Sequence, residues 1–216
     1  FLDRQPLAVT SNDLQVGELN GAALGLYGAI RNSASDPYLG DGFENIPWVA
    51  MNGFRSDDAE IVADPGASAW HQTYDLFQYT KDDWGAGLYW DKHFVLVGLC
   101  NDIIDKAETE NLNSPADLVN VAEAKFFRAY SYFDLVRTFG KVPKIDFKIN
   151  DITEGQIEKS DTSEIYNLIK ADLTFAEQYL PINWEEKYKG RLTSDAAKSL
   201  HGKVLLQQHL YAEALP

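Results

Sequence analysis

One cysteine, Cys100, stands alone among 216 residues, so no intrachain disulfide braces this chain. It sits in the apolar run Phe94–Cys100 and reads as a small core residue, since free cysteine is among the most buried residue types. Long apolar runs are absent as well: no stretch reaches the ~18 residues that a membrane helix requires. Positive charge is scarce. The 19 Lys and Arg stand against 33 Asp and Glu, a net −14 with the four histidines neutral. That balance argues against a broad electrostatic grip on phosphate backbones, and against adsorption to an anionic membrane. Nucleic acid is not an expected partner.

Catalytic signatures are missing too. There is no G-x-S-x-G elbow, no G-x-x-x-x-G-K-[ST], no G-x-G-x-x-G and no H-E-x-x-H. His71, His93, His201 and His209 are scattered, and His201 and His209 lie too far apart to share a metal on one helix. Asp57 and Asp58 are adjacent in sequence, which does not set the opposed geometry of a glycosidase pair. Many carboxylates are present, but without the spacing of a calcium loop. The expectation is a protein that is not an enzyme and that carries no metal and no cofactor.

What is present is a globular, helical pattern, 45% hydrophobic and 12% aromatic. Leu14–Arg31 places Leu19, Ala22, Ala23, Leu26, Tyr27 and Ile30 on one stripe, with Ser11 or Asn12 as cap. Trp84–Glu108 repeats the pattern through Trp90, Phe94, Val97, Asn101 and Ile104. Ala116–Phe139 wraps apolar side chains around most of its cylinder, so Glu123, Arg128, Asp134 and Arg137 need partners or a narrow wet face. Ser114 and Pro115 start that helix, and Gly140 ends it. Ser163–Leu180, stopped by Pro181, and a helix after Thr193 follow, with a sixth forming at Tyr211–Leu215. Hairpin signals for paired strands are lacking. The predicted fold is all-α: tetratricopeptide-like helical hairpins with long irregular loops and little sheet.

The run Ala122–Pro143, AEAKFFRAYSYFDLVRTFGKVP, resembles the signature helix of the SusD/RagB family of outer-membrane nutrient-binding lipoproteins, approximately A-E-A-R-F-L-R-A-x-x-Y-F-x-L-V-R-x-F-G-x-V-P. Lys125 stands where the family usually has Arg, and Phe127 where it often has Leu. Phe1-Leu2-Asp3 with Pro6 is similar to a mature start shortly after the lipidated Cys, which this sequence does not contain. Phe54-Arg55-Ser56-Asp57-Asp58-Ala59 resembles an R-S-D-D-A segment seen in many members. Trp90, Phe94, Val97 and Asn101 are similar to a W-x3-Y-x2-I-x3-N helix. Gly190-Arg191-Leu192-Thr193, Ala196-Ala197 and Tyr211-Ala212-Glu213-Ala214 resemble the repeat region, where His209-Leu210 replaces the usual Gly-Asp turn. On this resemblance residues 1–216 are the N-terminal portion of a SusD-like domain, ending within the helical repeats. It implies a surface-exposed outer-membrane lipoprotein that binds a polysaccharide or oligosaccharide and delivers it to a TonB-dependent transporter.

Between the first helix and Trp84 lies an irregular stretch, Asn32–Asp83, with one short helix expected near Ala69–Phe77. Irregular stretches of that length are usually functional. A sugar ring offers an apolar C–H face and an edge of hydroxyls, so it calls for flat aromatics together with charged or amide side chains. Trp48, Trp70, Tyr74, Tyr79 and Trp84, with Arg55, Asp57 and Asp58, supply that chemistry. Each aromatic could instead pack the loops onto the helices. A peptide-capturing member of the same family and a helical protein-interaction scaffold are the alternative readings.

Overall fold

The computed structural model describes residues 17–31, 48–59, 70–80 and 82–214. These residues form six α-helices: α1 (Asn20–Arg31), α2 (Trp70–Asp75), α3 (Trp84–Thr109), α4 (Pro115–Phe139), α5 (Thr162–Tyr179) and α6 (Ser194–Gln207). Shorter pieces are a π-helical turn, Val49–Gly53, and 3-10 turns at Ile152–Gly155 and Glu186–Tyr188. Among the described residues β pairing is confined to one isolated bridge, Pro143 to Lys159, and the fold is all-α as the periodicity predicts. No described helix is long and apolar enough to cross a membrane. The chain divides into two compact units, Phe1–Leu26 with Leu96–Pro216, and Tyr27–Val95.

In the larger unit α4 is central. Ser114 Oγ accepts a hydrogen bond from the Asp117 N–H at 3.2 Å, Pro115 occupies the first turn, and Gly140 closes the helix at φ +71°. All three positions are the expected ones, because each follows from local backbone chemistry. Its charged residues are indeed partnered. Arg128 pairs with Asp172 of α5, Glu123 with Arg191 just before α6, and Asp134 with Arg137 one turn on. Ala122 of α4 meets Ala176 and Leu180 at the end of α5 and Ala197 of α6, with Val119, Phe126, Phe175, Tyr179 and Leu192 around them. Small residues at this crossing let three helices approach closely. Thr193 Oγ1 caps α6 by accepting from the Ala196 N–H at 3.3 Å.

The second half of α3 joins α4 through Asn101, whose Oδ1 accepts from Arg128 Nη1 at 2.8 Å. Its Nδ2 donates to the carbonyls of Ile145 and Phe147, at 3.0 and 2.9 Å, holding the extended exit after Pro143. Tyr132 Oη accepts from the Ile145 N–H at 2.6 Å and so pins the same segment from α4.

Three expectations need correction. Helix α1 starts at Asn20, not Leu14, because Gly17 turns the backbone at φ +79°. Its opening turn is held from afar: Asp117 Oδ1 accepts from the Glu18 N–H at 2.7 Å. Ser11, Asn12 and Leu14 lie outside the described residues. On α3, Val97, Asn101 and Ile104 are buried as predicted, but Tyr89 and His93 take the inner line instead of Trp90 and Phe94. The latter two are half-buried and lean on each other, ring centroids 4.7 Å apart. The third concerns Tyr211–Leu215, which through residue 214 makes a single turn, the N–H groups of Glu213 and Ala214 both donating to the Leu210 carbonyl.

Helices α2, α3 and α6 end alike, each with a left-handed residue one past its cap: Phe77 at φ +54°, Asn111 at +54° and His209 at +60°. Each makes the paired bonds of a Schellman motif, as in Leu210 N–H to Leu205 O and His209 N–H to Leu206 O, at 2.9 and 3.0 Å. Glycine is the usual occupant of that position, and Asn the usual substitute. His209 therefore holds the conformation that a Gly-Asp turn would supply.

Candidate functional site

The residues singled out for sugar chemistry all lie in the unit Tyr27–Val95. Trp48 leads into the π-helical turn, where the Phe54 N–H reaches back to the Val49 carbonyl at 2.9 Å. Such wide turns recur at functional sites, because the extra residue re-aims its neighbours. Ala50 and Met51 bury the turn, while Trp48 stays 38% exposed. Asn52 fixes it from the side, Nδ2 donating to the Trp48 carbonyl at 3.3 Å and to Tyr89 Oη at 3.2 Å. Tyr89 is itself buried on α3, edge-on to His93 at 4.4 Å between centroids.

The Arg55–Asp58 segment follows directly. Ser56 Oγ donates to the Gly53 carbonyl at 2.7 Å and accepts from the Asp58 N–H at 3.3 Å, so the two carboxylates sit on a fixed turn and face water. Arg55 is half-buried, its guanidinium carbon 5.2 Å from the Tyr79 ring centroid. Its Nε is out of water with no hydrogen-bond partner among the described residues. A guanidinium N–H left without an acceptor is costly.

Tyr79 stacks on Tyr74 with ring centroids 5.1 Å apart and planes 15° from parallel. Tyr74 is completely buried. Its hydroxyl donates to Asp83 Oδ1, and the same oxygen accepts from the Gly85 N–H at 3.0 Å as α3 begins. Burial, reinforced by the Asp83 hydrogen bond and charge, pushes the Tyr74 phenol above its ordinary range. A buried ring offers no face to a sugar, so Tyr74 supports Tyr79 from beneath. Trp84 opens α3 and is 47% exposed. Trp70 opens α2, and its side chain lies outside the described structure.

Three features of this unit escape the sequence reading. Asn52 carries no mark that separates it from any loop amide. Asp83 had a signal, since Asp immediately before a helical run is a favoured cap. Leu76 and Phe77, 58% and 61% exposed, fall within the short helix expected at Ala69–Phe77, whereas α2 ends at Asp75.

Comparisons with known proteins agree with this architecture. A SusD-like family model described as starch-binding and associating with the outer membrane matches residues 44–206. The SusD-like protein P2 of Formosa agariphila is 35% identical over 130 residues, 59% of this chain and 25% of that protein. A solved laminarin-binding SusD-like protein superposes with a TM-score of 0.75 at 25% identity, over 91% of this chain and 42% of that one. A SusD superfamily protein from Bacteroides vulgatus superposes with a TM-score of 0.78 at 21% identity, covering 95% and 42%, a likeness of fold alone. The chain thus spans less than half the length of each of these relatives. With the helical repeat and the signature helix α4 both in place, the chain belongs to the SusD-like family of outer-membrane-associated binding proteins.

Proposed function

We propose that this chain captures a polysaccharide or oligosaccharide at the bacterial cell surface, as part of a lipoprotein that hands it to a TonB-dependent outer-membrane transporter. No bond is broken in this task. The observation that carries the reading is the pair of half-exposed tryptophans, Trp48 at 38% and Trp84 at 47%, in the same unit as the exposed carboxylates of Asp57 and Asp58. Aromatic faces take the C–H side of a sugar, and carboxylates take its hydroxyls. Arg55, Asp57, Asp58, Tyr79 and Trp70 join Trp48 and Trp84 in this site, with Tyr74 as its support. Membership of a starch-binding family and likeness to a laminarin-binding structure support a glycan over other ligands. The helical scaffold keeps the site preorganised, so little ordering entropy is lost on docking.

Affinity electrophoresis in gels containing laminarin, xyloglucan or starch tests the reading. Retardation by one polymer is expected, lost in Trp48→Ala or Trp84→Ala chains that still fold. Retardation by none of them would overturn glycan capture in this chain and put peptide capture ahead.

A further inference from the structure

We infer that Phe77 is a stacking surface for a sugar ring, an inference that rests on glycan capture being the function of this chain. Phe77 occupies the left-handed position after α2 at φ +54°, where bulky residues are rare outliers and glycine is the default. The turn is well made around it: the Phe77 N–H donates to the Tyr74 carbonyl at 3.2 Å and the Gln78 N–H to the Thr73 carbonyl at 2.7 Å. Yet most of the side chain lies in water. It is 61% exposed, and no aromatic ring or cation packs on it among the described residues. Two unfavourable features thus coincide at one residue, a strained backbone and a large ring in water. Backbone strain of this kind clusters at functional positions.

The surroundings give the ring its use. Tyr74, whose carbonyl anchors the turn, is itself locked by Asp83, and Tyr79 two residues on holds the Arg55 guanidinium. Among the described side chains of residues 72–79, Tyr74 is buried and Tyr79 is stacked on it, while Phe77 presents an open face. A phenyl ring has only two side-chain torsions to order on stacking. Leu76, 58% exposed, extends the apolar surface. A flat apolar surface of that size, in the same unit as exposed carboxylates and an arginine donor, suits the C–H face of a neutral pyranose.

The test compares Phe77→Gly and Phe77→Tyr with the unaltered 216-residue chain, by thermal melting and by affinity electrophoresis in laminarin, xyloglucan and starch gels. Glycine relieves the backbone, so Phe77→Gly is expected to melt about 2–4 °C higher. The same variant should bind at least about five-fold more weakly, the loss of one stacked ring. Phe77→Tyr keeps the ring and should bind within about two-fold of the unaltered chain. Unchanged binding in Phe77→Gly would overturn the assignment while leaving glycan capture intact. A lower melting temperature in Phe77→Gly would also overturn it, since the ring would then serve the fold. If the unaltered chain is retarded by none of the three polymers, glycan capture falls, and the role of Phe77 with it.

Discussion

Arg128 grips Asp172 with two parallel hydrogen bonds, Nε to Oδ2 at 2.7 Å and Nη2 to Oδ1 at 2.8 Å, across the α4–α5 interface. Both side chains are almost wholly out of water. Burial alone would lower the guanidinium affinity for its proton, but the hydrogen bond and charge of Asp172 outweigh it and hold Arg128 above its usual range. The dependence is one-sided: Asp172 also receives Lys125 Nζ at 3.3 Å, whereas Arg128 without Asp172 would be an uncompensated buried charge. Asp172→Ala should therefore destabilise the chain by about 3–5 kcal/mol. Replacing both residues with Leu or Met should recover much of that loss, since a well-packed apolar pair avoids the desolvation cost. Urea midpoints at constant slope check both outcomes. A double variant as weak as Asp172→Ala would contradict the argument.

Arg191 gathers more of the larger unit than its loop position suggests. Nε donates to Glu123 Oε1 at 2.9 Å, Nη2 to Asn120 Oδ1 at 3.0 Å, and Nη1 to Asn20 Oδ1 at 2.7 Å. Its guanidinium carbon also lies 4.5 Å from the Trp184 ring centroid. A lysine keeps the charge but not the planar fork, so it cannot reach three acceptors on two helices at once. Arg191→Lys should cost about 2 kcal/mol or more, because Glu123 is left buried with a poorer partner. Hydrogen exchange should accelerate at Asn20–Leu26, the part of α1 that Asn20 anchors. Unchanged exchange there would show that α1 is held without the Arg191–Asn20 bond.

Gly85 sits where α3 starts, and a Cβ on it would lie 2.6 Å from Tyr74 Oη and 3.2 Å from the ring carbon beneath it. Tyr74 is buried and tied to Asp83, so it has little room to withdraw. Gly85→Ala should cost about 1–3 kcal/mol by overpacking. Gly87, one half-turn on, has open space around it, so Gly87→Ala should stabilise by about 0.5–1 kcal/mol through helix propensity. Chemical denaturation of the two variants, opposite in sign, separates crowding from any general glycine effect.

How much of this was legible in the sequence depends on the range of the forces involved. Ser114, Pro115 and Gly140 mark α4 because capping is a matter of neighbouring backbone groups, and the predicted ends agree with the observed ones. The start of α1 is not legible because Asp117, about a hundred positions away, holds the N–H groups of Glu18 and Leu19 just before it, and no local pattern shows that. The face of α3 shifted because Tyr89 bonds to Asn52, a tertiary contact that overrides the stripe of larger aromatics. The same limit governs the candidate site. Composition located the aromatic unit, but only the fold separates buried Tyr74 from exposed Trp84. Phe77 was invisible because exposure and a positive φ leave no trace in residue type.

Stability at alkaline pH follows from groups buried with their protons. Cys100 and Tyr132 are both fully buried, and burial pushes each well above its ordinary value of 9.0 or 10.0. Above pH 9 the unfolded chain loses the Cys100 proton while the folded chain keeps it, and above pH 10 the same holds for Tyr132. The unfolded state then binds fewer protons, so unfolding becomes progressively easier as pH rises. Each group contributes a slope of about 1.4 kcal/mol per pH unit beyond its unfolded value. The urea midpoint should therefore begin to fall near the ordinary value of Cys100 and steepen near that of Tyr132. In Cys100→Ala the first phase should vanish, leaving a decline that starts only as tyrosine ionises. If Cys100→Ala falls as steeply as the unaltered chain between those two values, the thiol is not the group whose burial sets the onset.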